Sequence, residues 1–264
     1  PNVLGILTNG RSMFLHIYET QVYNPVQYSR YHAFIEAING ITQDYHFSDL
    51  NEAGLDSKLF PLLNARYILL DKAIPLTRSD AVKIMAGRHV VYEDAYVRVL
   101  ESDGPQPSAA WIVHQVDQQP YGNVLASMKG SDFDARTMAI TEQANDGIEP
   151  LRPGATESAT VTSYKPESIA ISANAASNGM LVVSENYDAD WKAYVDGKRV
   201  PVQPVDFAFR GIPLTAGAHT VELRYEPRSL DIGLWLTGSA IALWIGIAVW
   251  RLVDSRSSRL RSRR

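Results

Sequence analysis

The C-terminal part of the chain contains an uncharged, apolar run from Ile232 to Trp250, and a cluster of arginines follows it directly. A helix over this run spans roughly 28 Å, close to the ~30 Å hydrocarbon core of a bilayer. Basic residues beside a span favour the cytoplasmic side of a membrane. We therefore predict a transmembrane helix over residues 230–253, a cytoplasmic basic tail over 254–264, and an extracytoplasmic location for residues 1–228.

A buried core helix of a soluble domain is the alternative interpretation of this run. The run is apolar on all sides and carries three tryptophans, which favours the membrane. Gly238, Ala242 and Gly246 recur every four residues, a spacing along which another membrane helix can pack. Chance spacing in a Gly/Ala-rich span explains that stripe equally well.

The part of the chain ahead of the span is acidic. The tail from residue 251 onward holds six Arg and one Asp, so the remainder of a chain with net charge −4 carries −9. Phosphate binding needs a concentrated basic face, so we expect no nucleic-acid partner, whereas the tail is suited to anionic lipid headgroups of the bilayer. The chain has no cysteine, which excludes disulfides and thiolate metal sites within it.

A breaker-rich stretch over residues 144–156 divides the outer part of the chain. Residues 1–143 are predicted to form a mixed α/β domain, with a helix that starts at Pro25 after the N-cap Asn24 and ends at Asn39-Gly40. Residues 157–228 alternate between apolar and polar positions, and Asp196-Gly197 is typical of a tight hairpin. We predict an antiparallel β-sandwich of about seven strands there, and hence an α+β fold followed by one transmembrane helix.

The N-terminal residues carry no export signal. Pro1 to Gly5 lacks an initiator Met, a basic segment and an apolar segment. Because an outward-facing domain must be exported, we expect these residues to be the C-terminal part of a longer membrane protein.

Short segments along both halves occur in an order that resembles a known family. These segments include Val22-Tyr23-Asn24-Pro25, Leu62-Leu63-Asn64-Ala65-Arg66-Tyr67, Ala109-Ala110-Trp111-Ile112-Val113, Trp191-Lys192-Ala193-Tyr194-Val195-Asp196-Gly197 and Ala216-Gly217-Ala218-His219-Thr220-Val221. Their order resembles the C-terminal region of YfhO-like bacterial membrane proteins, over nearly the whole chain. Such proteins are similar to GT-C-type glycosyltransferases, which take a sugar from a polyprenyl-phosphate carrier and pass it to a cell-surface glycan. The resemblance implies a bacterial cytoplasmic membrane location and a catalytic carboxylate in an earlier loop, outside this segment.

Few motifs in the chain carry recognisable chemistry. Asp188-Ala189-Asp190 matches the pattern with which many nucleotide-sugar transferases hold a metal ion, but it lies between two predicted strands, where Asp commonly forms a turn. The six histidines never take the spacing of a metalloprotease site, and phosphate-binding and dinucleotide-binding loops are lacking in the sequence. We therefore expect no metal, no cofactor and no catalytic residue in this segment.

The first 45 residues are rich in tyrosine, a side chain that suits sugar rings because it joins an apolar face to a polar tip. Arg30 offers a bidentate fork for phosphate or carboxylate near the positive end of the predicted helix. Tyr31 lies three residues after Tyr28 on one helix face, where packing against a sheet is the alternative role. We predict Tyr23, Asn24, Arg30 and Tyr31 as ligand-binding residues.

Two functions remain open from the sequence. In the first, this segment is the extracytoplasmic C-terminal region of a glycosyltransferase-like membrane protein and recognises an acceptor glycan or shapes its site, with catalysis upstream. In the second, it is a non-catalytic, membrane-anchored binding or scaffold subunit of a larger complex.

Overall fold

The computed structural model describes residues 18–21, 26–104 and 108–261, with side chains described as far as Arg251. The chain divides into one compact unit that ends at Arg224 and a second unit that begins at Tyr225. Tyr23 and Asn24, two of the predicted ligand-binding residues, lie outside the described residues.

Within the described residues, four α-helices and one 3₁₀ turn belong to the first unit, and one long helix belongs to the second. They are α1 (Ser29–Asn39), α2 (Glu52–Leu55), the 3₁₀ turn Phe60–Leu63, α3 (Ser79–Met85), α4 (Tyr121–Lys129) and α5 (Arg228–Arg261). The strands form three sheets among the described residues.

The small sheet has the order β1-β3-β2 and comprises β1 (Tyr67–Asp71), β2 (Arg88–Glu93) and β3 (Val97–Ser102). The five-stranded sheet has the order β11-β10-β14-β8-β7 and comprises β7 (Ser158–Lys165), β8 (Ser168–Ala175), β10 (Trp191–Val195), β11 (Lys198–Val200) and β14 (Gly217–Tyr225). The six-stranded sheet has the order β4-β9-β13-β12-β6-β5. Its strands are β4 (Ala110–Val113), β5 (Gln115–Gln118), β6 (Met138–Thr141), β9 (Gly179–Asn186), β12 (Gln203–Val205) and β13 (Phe209–Leu214).

The six-stranded sheet is buried on both faces. On β9, Leu181 and Val183 belong to a core shared with the five-stranded sheet, whereas Met180 and Val182 belong to a second core shared with α1. Successive strand residues point to opposite faces, so β9 reads as a continuous apolar run instead of an alternating one. The predicted α+β fold with a sandwich is therefore confirmed, and its central sheet lies between two apolar layers.

The six-stranded sheet also joins both predicted domains. Strands β4 and β6 precede residue 144, yet they pair with strands that follow residue 156: β4 with β9, and β6 with β12. Strand β5 joins the sheet by pairing with β6. The division of the chain at 144–156 into separate domains stays a prediction, and the two segments share one sheet within the first unit.

Helix α1 ends where the sequence predicts and starts later. Gly40 adopts φ 70° and its N–H donates to the Glu36 carbonyl at 2.9 Å, an αL cap that suits glycine. The predicted start at Pro25 is wrong for a helix, because residues 26–28 are not helical and Tyr28 has an extended ψ of 118°. At the other predicted turn, Asp196 and Gly197 have φ 50° and 78°, as a type I′ hairpin requires.

Helix α5 contains the candidate membrane span. Its segment Arg228–Arg251 is long and apolar enough to cross a bilayer, and its residues are exposed. The helix continues beyond this segment to Arg261, so much of the predicted tail belongs to the same helix.

Candidate ligand-binding site

A cavity of about 920 Å³ lies between the N-terminal end of α1, β1 and the C-terminal end of β9. Four tyrosines line it with much of each ring in solvent: Tyr18, Tyr28, Tyr67 and Tyr164 are 78%, 46%, 48% and 40% exposed. The rings of Tyr18 and Tyr164 meet edge to face with centroids 4.9 Å apart. We call these four residues the tyrosine rim. They come from four separate segments of the chain, so the tertiary fold gathers them.

Gln27 lines the same cavity and is 8% exposed. Its backbone is held in place, since the Tyr45 hydroxyl donates to the Gln27 carbonyl at 2.5 Å. Its side-chain amide, by contrast, has no hydrogen-bond partner among the described residues, either at the nitrogen or at the oxygen. An unsatisfied buried amide costs about 1–3 kcal/mol. Gln27 therefore carries both donor and acceptor capacity that the described fold leaves unused.

Glu185 supplies a carboxylate to the cavity from the end of β9. One of its oxygens accepts a hydrogen bond from the Tyr164 hydroxyl at 2.7 Å. Burial raises the pKa of Glu185 above its usual range, while the Tyr164 bond and the charge of Arg210 oppose that rise. The carboxylate is thus held in a poorly solvated position beside the tyrosine rim.

Tyr31 also lines the cavity, and its hydroxyl donates to the Thr20 carbonyl at 2.6 Å. Burial, with a smaller contribution from the Glu185 charge, raises the pKa of Tyr31 above its usual range. Of the two predicted ligand-binding residues that the structure describes, Tyr31 is therefore the one at the cavity. Its ring also packs against the apolar core.

Arg30 meets an anion of its own chain. Its two terminal nitrogens form the predicted bidentate fork with the Glu142 carboxylate, at 2.5 and 3.1 Å, and one of them also donates to the Phe207 carbonyl at 2.8 Å. The guanidinium lies 4.8 Å from the ring centroid of Tyr121 and 5.9 Å from that of Tyr187. These contacts support a structural role, and a ligand-binding role for Arg30 stays a prediction.

Arg210 is buried in β13 and is held by contacts other than an ion pair among the described residues. Its Nε donates to the Asn186 carbonyl at 2.9 Å, and its guanidinium stacks on Trp191 at 3.9 Å. Burial lowers the pKa of Arg210 to about 10, with the Glu185 charge opposing. No described contact joins Arg210 to Asp206, whose Oδ1 accepts from the Ile140 backbone N–H at 2.8 Å instead.

The Asp188-Ala189-Asp190 motif forms a turn. The Asp190 backbone N–H donates to the Asp188 carboxylate at 2.8 Å, and the Trp191 N–H donates to the Asp188 carbonyl at 3.2 Å. One carboxylate oxygen of Asp188 thus accepts a hydrogen bond from the backbone of the same turn, as the turn interpretation predicts. Within the described part of the chain, His, Asp and Glu side chains nowhere form a group of three that could hold a metal ion.

Sequence reasoning missed Gln27, Tyr67 and Tyr164 as members of a site. Gln27 sits next to Tyr28, and nothing in the local pattern marks its amide as buried and unpaired. Tyr164 lies in β7, far along the chain from Tyr67 in β1. The concentration of tyrosines before residue 46 was the one available signal, and three of those tyrosines, Tyr18, Tyr28 and Tyr31, line the cavity.

The chain thus combines a compact α+β unit that carries a tyrosine-rimmed cavity with a helix able to cross a bilayer, as a membrane protein does. The family model described as "Bacterial membrane protein YfhO" matches residues 148–237, which extend from before β7 into α5. The family resemblance is therefore confirmed over residues 148–237, where the chain is similar to that family. No curated protein and no solved structure matches the chain.

Proposed function

We propose that residues 1–228 are an extracytoplasmic accessory region of an integral membrane protein that resembles polyprenyl-phosphate-sugar-dependent glycosyltransferases. In this proposal the region recognises an acceptor glycan at the membrane face, and catalysis takes place upstream. The observation that carries it is the cavity, where exposed tyrosines surround the Gln27 amide and the Glu185 carboxylate. Tyrosine rings with adjacent polar groups suit sugars, which present both C–H faces and hydroxyls.

The membrane arrangement supports the location of this region. Two residues join β14 to α5, so the folded unit is tethered closely to the candidate span. The arginines beyond Trp250 favour the cytoplasm, which leaves the residues ahead of the span on the outer side.

Cysteine labelling tests the topology directly, because the chain has no native cysteine. Ser131→Cys in the exposed turn after α4 is expected to react with a membrane-impermeant maleimide in intact bacterial cells. Ser257→Cys, beyond the span, is expected to react only after the membrane is permeabilised. The reverse pattern refutes the extracytoplasmic location.

A transfer assay tests the recognition role in the complete protein. Tyr67→Ala removes a rim side chain and is expected to lower glycan transfer while the protein remains at wild-type abundance in the membrane. Tyr96→Ala is the matched control, since Tyr96 is 79% exposed and does not line the cavity. If Tyr67→Ala leaves transfer unchanged, the scaffold function replaces the recognition function. Further hydrophobic spans upstream, with an acidic residue in the first outer loop, are expected in the complete reading frame.

A further inference from the structure

We propose that the tyrosine-rimmed cavity binds an uncharged sugar ring through Gln27 and Glu185 and disfavours sugars that carry a phosphate. This inference names the ligand of the site invoked above and in that respect rests on the proposed function.

The tyrosine rim provides the apolar contact. Four large aromatic side chains with 40% or more of their surface exposed converge on one opening. Isolated exposed aromatics are common, whereas a contiguous group marks a binding surface. The apolar C–H face of a pyranose packs against such rings. The volume of about 920 Å³ lies within the range of about 300–1,000 Å³ typical of small-molecule sites.

Gln27 provides the polar selectivity. Its buried amide has two donor hydrogens and an acceptor oxygen that lack partners among the described residues. A hydroxyl is at once a donor and an acceptor, so neighbouring hydroxyls of a sugar satisfy both ends of the amide. A lipid tail or a prenyl chain fills the same volume and leaves the amide unsatisfied, at a cost of about 1–3 kcal/mol. The amide therefore favours a polyol over a hydrocarbon.

The charges around the cavity disfavour phosphate. Glu19 and Glu185 are among its described lining residues, and Arg66 is the one cation among them. The Arg66 Nε already donates to Glu101 at 2.7 Å, and its guanidinium stacks on Tyr67. Arg210 offsets Glu185 in part, but it is 3% exposed and does not line the cavity. A phosphate would meet two carboxylates without a free cation beside it, whereas a sugar hydroxyl can donate to Glu185.

Binding to the complete chain tests this inference. The protein is purified in a zwitterionic detergent, because the headgroup of a maltoside detergent would compete for the cavity. Methyl glucoside and glucose 1-phosphate are titrated by saturation-transfer NMR. We expect methyl glucoside to bind with a dissociation constant of about 1 mM, the usual strength for a ligand of this size, and glucose 1-phosphate to bind at least about tenfold more weakly.

Gln27→Leu separates the ligand contact from a role in folding. The variant removes an amide that makes no described hydrogen bond, so the thermal midpoint is expected to stay the same or rise, while the affinity for methyl glucoside falls about tenfold. Gln115→Leu, on the exposed strand β5 away from the cavity, is the control and is expected to leave the affinity unchanged. Glu185→Gln keeps an acceptor for Tyr164 and is expected to reduce the difference in affinity between methyl glucoside and glucose 1-phosphate.

Three outcomes overturn the inference. One is equal or tighter binding of glucose 1-phosphate. Another is binding of farnesol, a short prenyl alcohol, without binding of either sugar, and the third is no sugar binding at all. The proposed function is refuted by different results, because the cysteine-labelling pattern reports the topology whatever the affinity for sugars is. Tyr67-dependent transfer together with equal binding of both sugars would refute this inference and leave the proposed function standing.

Discussion

Replacement of Arg30 by alanine tests whether this residue holds the fold together. The variant removes two hydrogen bonds to Glu142 and one to the Phe207 carbonyl, and it leaves a carboxylate that is 21% exposed without its cation. Charge-assisted bonds contribute about 1.5–3 kcal/mol each when buried, and pairs at the surface contribute about 0–1 kcal/mol. At this intermediate exposure we take about 1 kcal/mol for each bond. The expected loss is about 3 kcal/mol, before a smaller contribution from stacking on Tyr121.

The assay is thermal unfolding of the complete chain in detergent, followed by tryptophan fluorescence. A loss of about 3 kcal/mol corresponds to a fall in Tm of about 6–12 °C for a folded unit of this size. A double-mutant cycle with Glu142→Ala isolates the pair, and we expect a coupling of about 1–2 kcal/mol. Arg152→Ala is the matched control, since Arg152 is exposed and forms no ion pair among the described residues. Its effect is expected to stay within about 0.5 kcal/mol.

The result bears on the predicted ligand role of Arg30 as well. An unchanged Tm together with a loss of glycan transfer would refute the structural argument and restore Arg30 as a ligand-binding residue. A fall in Tm with a matching loss of protein from the membrane would show that Arg30 acts through the fold.

Two further predictions concern stability. Burial raises the pKa of Asp206 to about 7. Below about pH 4, where an unfolded carboxyl titrates, the neutral side chain is accommodated in the fold and its contribution to the free energy of unfolding is fully present. That contribution is lost as the pH rises through about 7, because the buried carboxyl then ionises. The Asp206→Asn side chain cannot ionise and also suits the positive φ of this residue. Denaturant unfolding should therefore show the variant about 2–4 kcal/mol more stable than wild type at pH 8, with nearly equal stability at pH 4. A stability difference that does not change with pH would contradict this. Gly211→Ala would place a Cβ 2.2 Å from Val205 and should lower the free energy of unfolding by about 1–3 kcal/mol. Gly122→Ala in α4 has open space around it and should raise the free energy of unfolding by about 0.5–1 kcal/mol. Both changes are measured as shifts in Tm.

Local features of the chain could be predicted because local physics produces them. Asp196-Gly197 needs two positive φ angles, Gly40 needs one, and both turns occur where the sequence places them. The alternating strands after residue 157 and the apolar run of the span follow from periodicity and length alone. The predicted start of α1 is wrong because Asn24-Pro25 is a local capping signal, whereas the side chains of Val26 and Tyr28 are exposed ahead of the helix and bury little apolar surface as a helical face.

Local patterns in the chain were enough for its α+β character, the candidate membrane helix and the family resemblance over residues 148–237. The folded structure set which strands share a sheet, that β9 is buried on both faces, and that Arg30 pairs with Glu142 across 112 positions. It also decided that Gln27, Tyr67, Tyr164 and Glu185 surround one cavity. Periodicity reports the face on which a residue lies. The partner on the other side of that face depends on how all the apolar surfaces of the chain are buried together, and no local pattern contains that information.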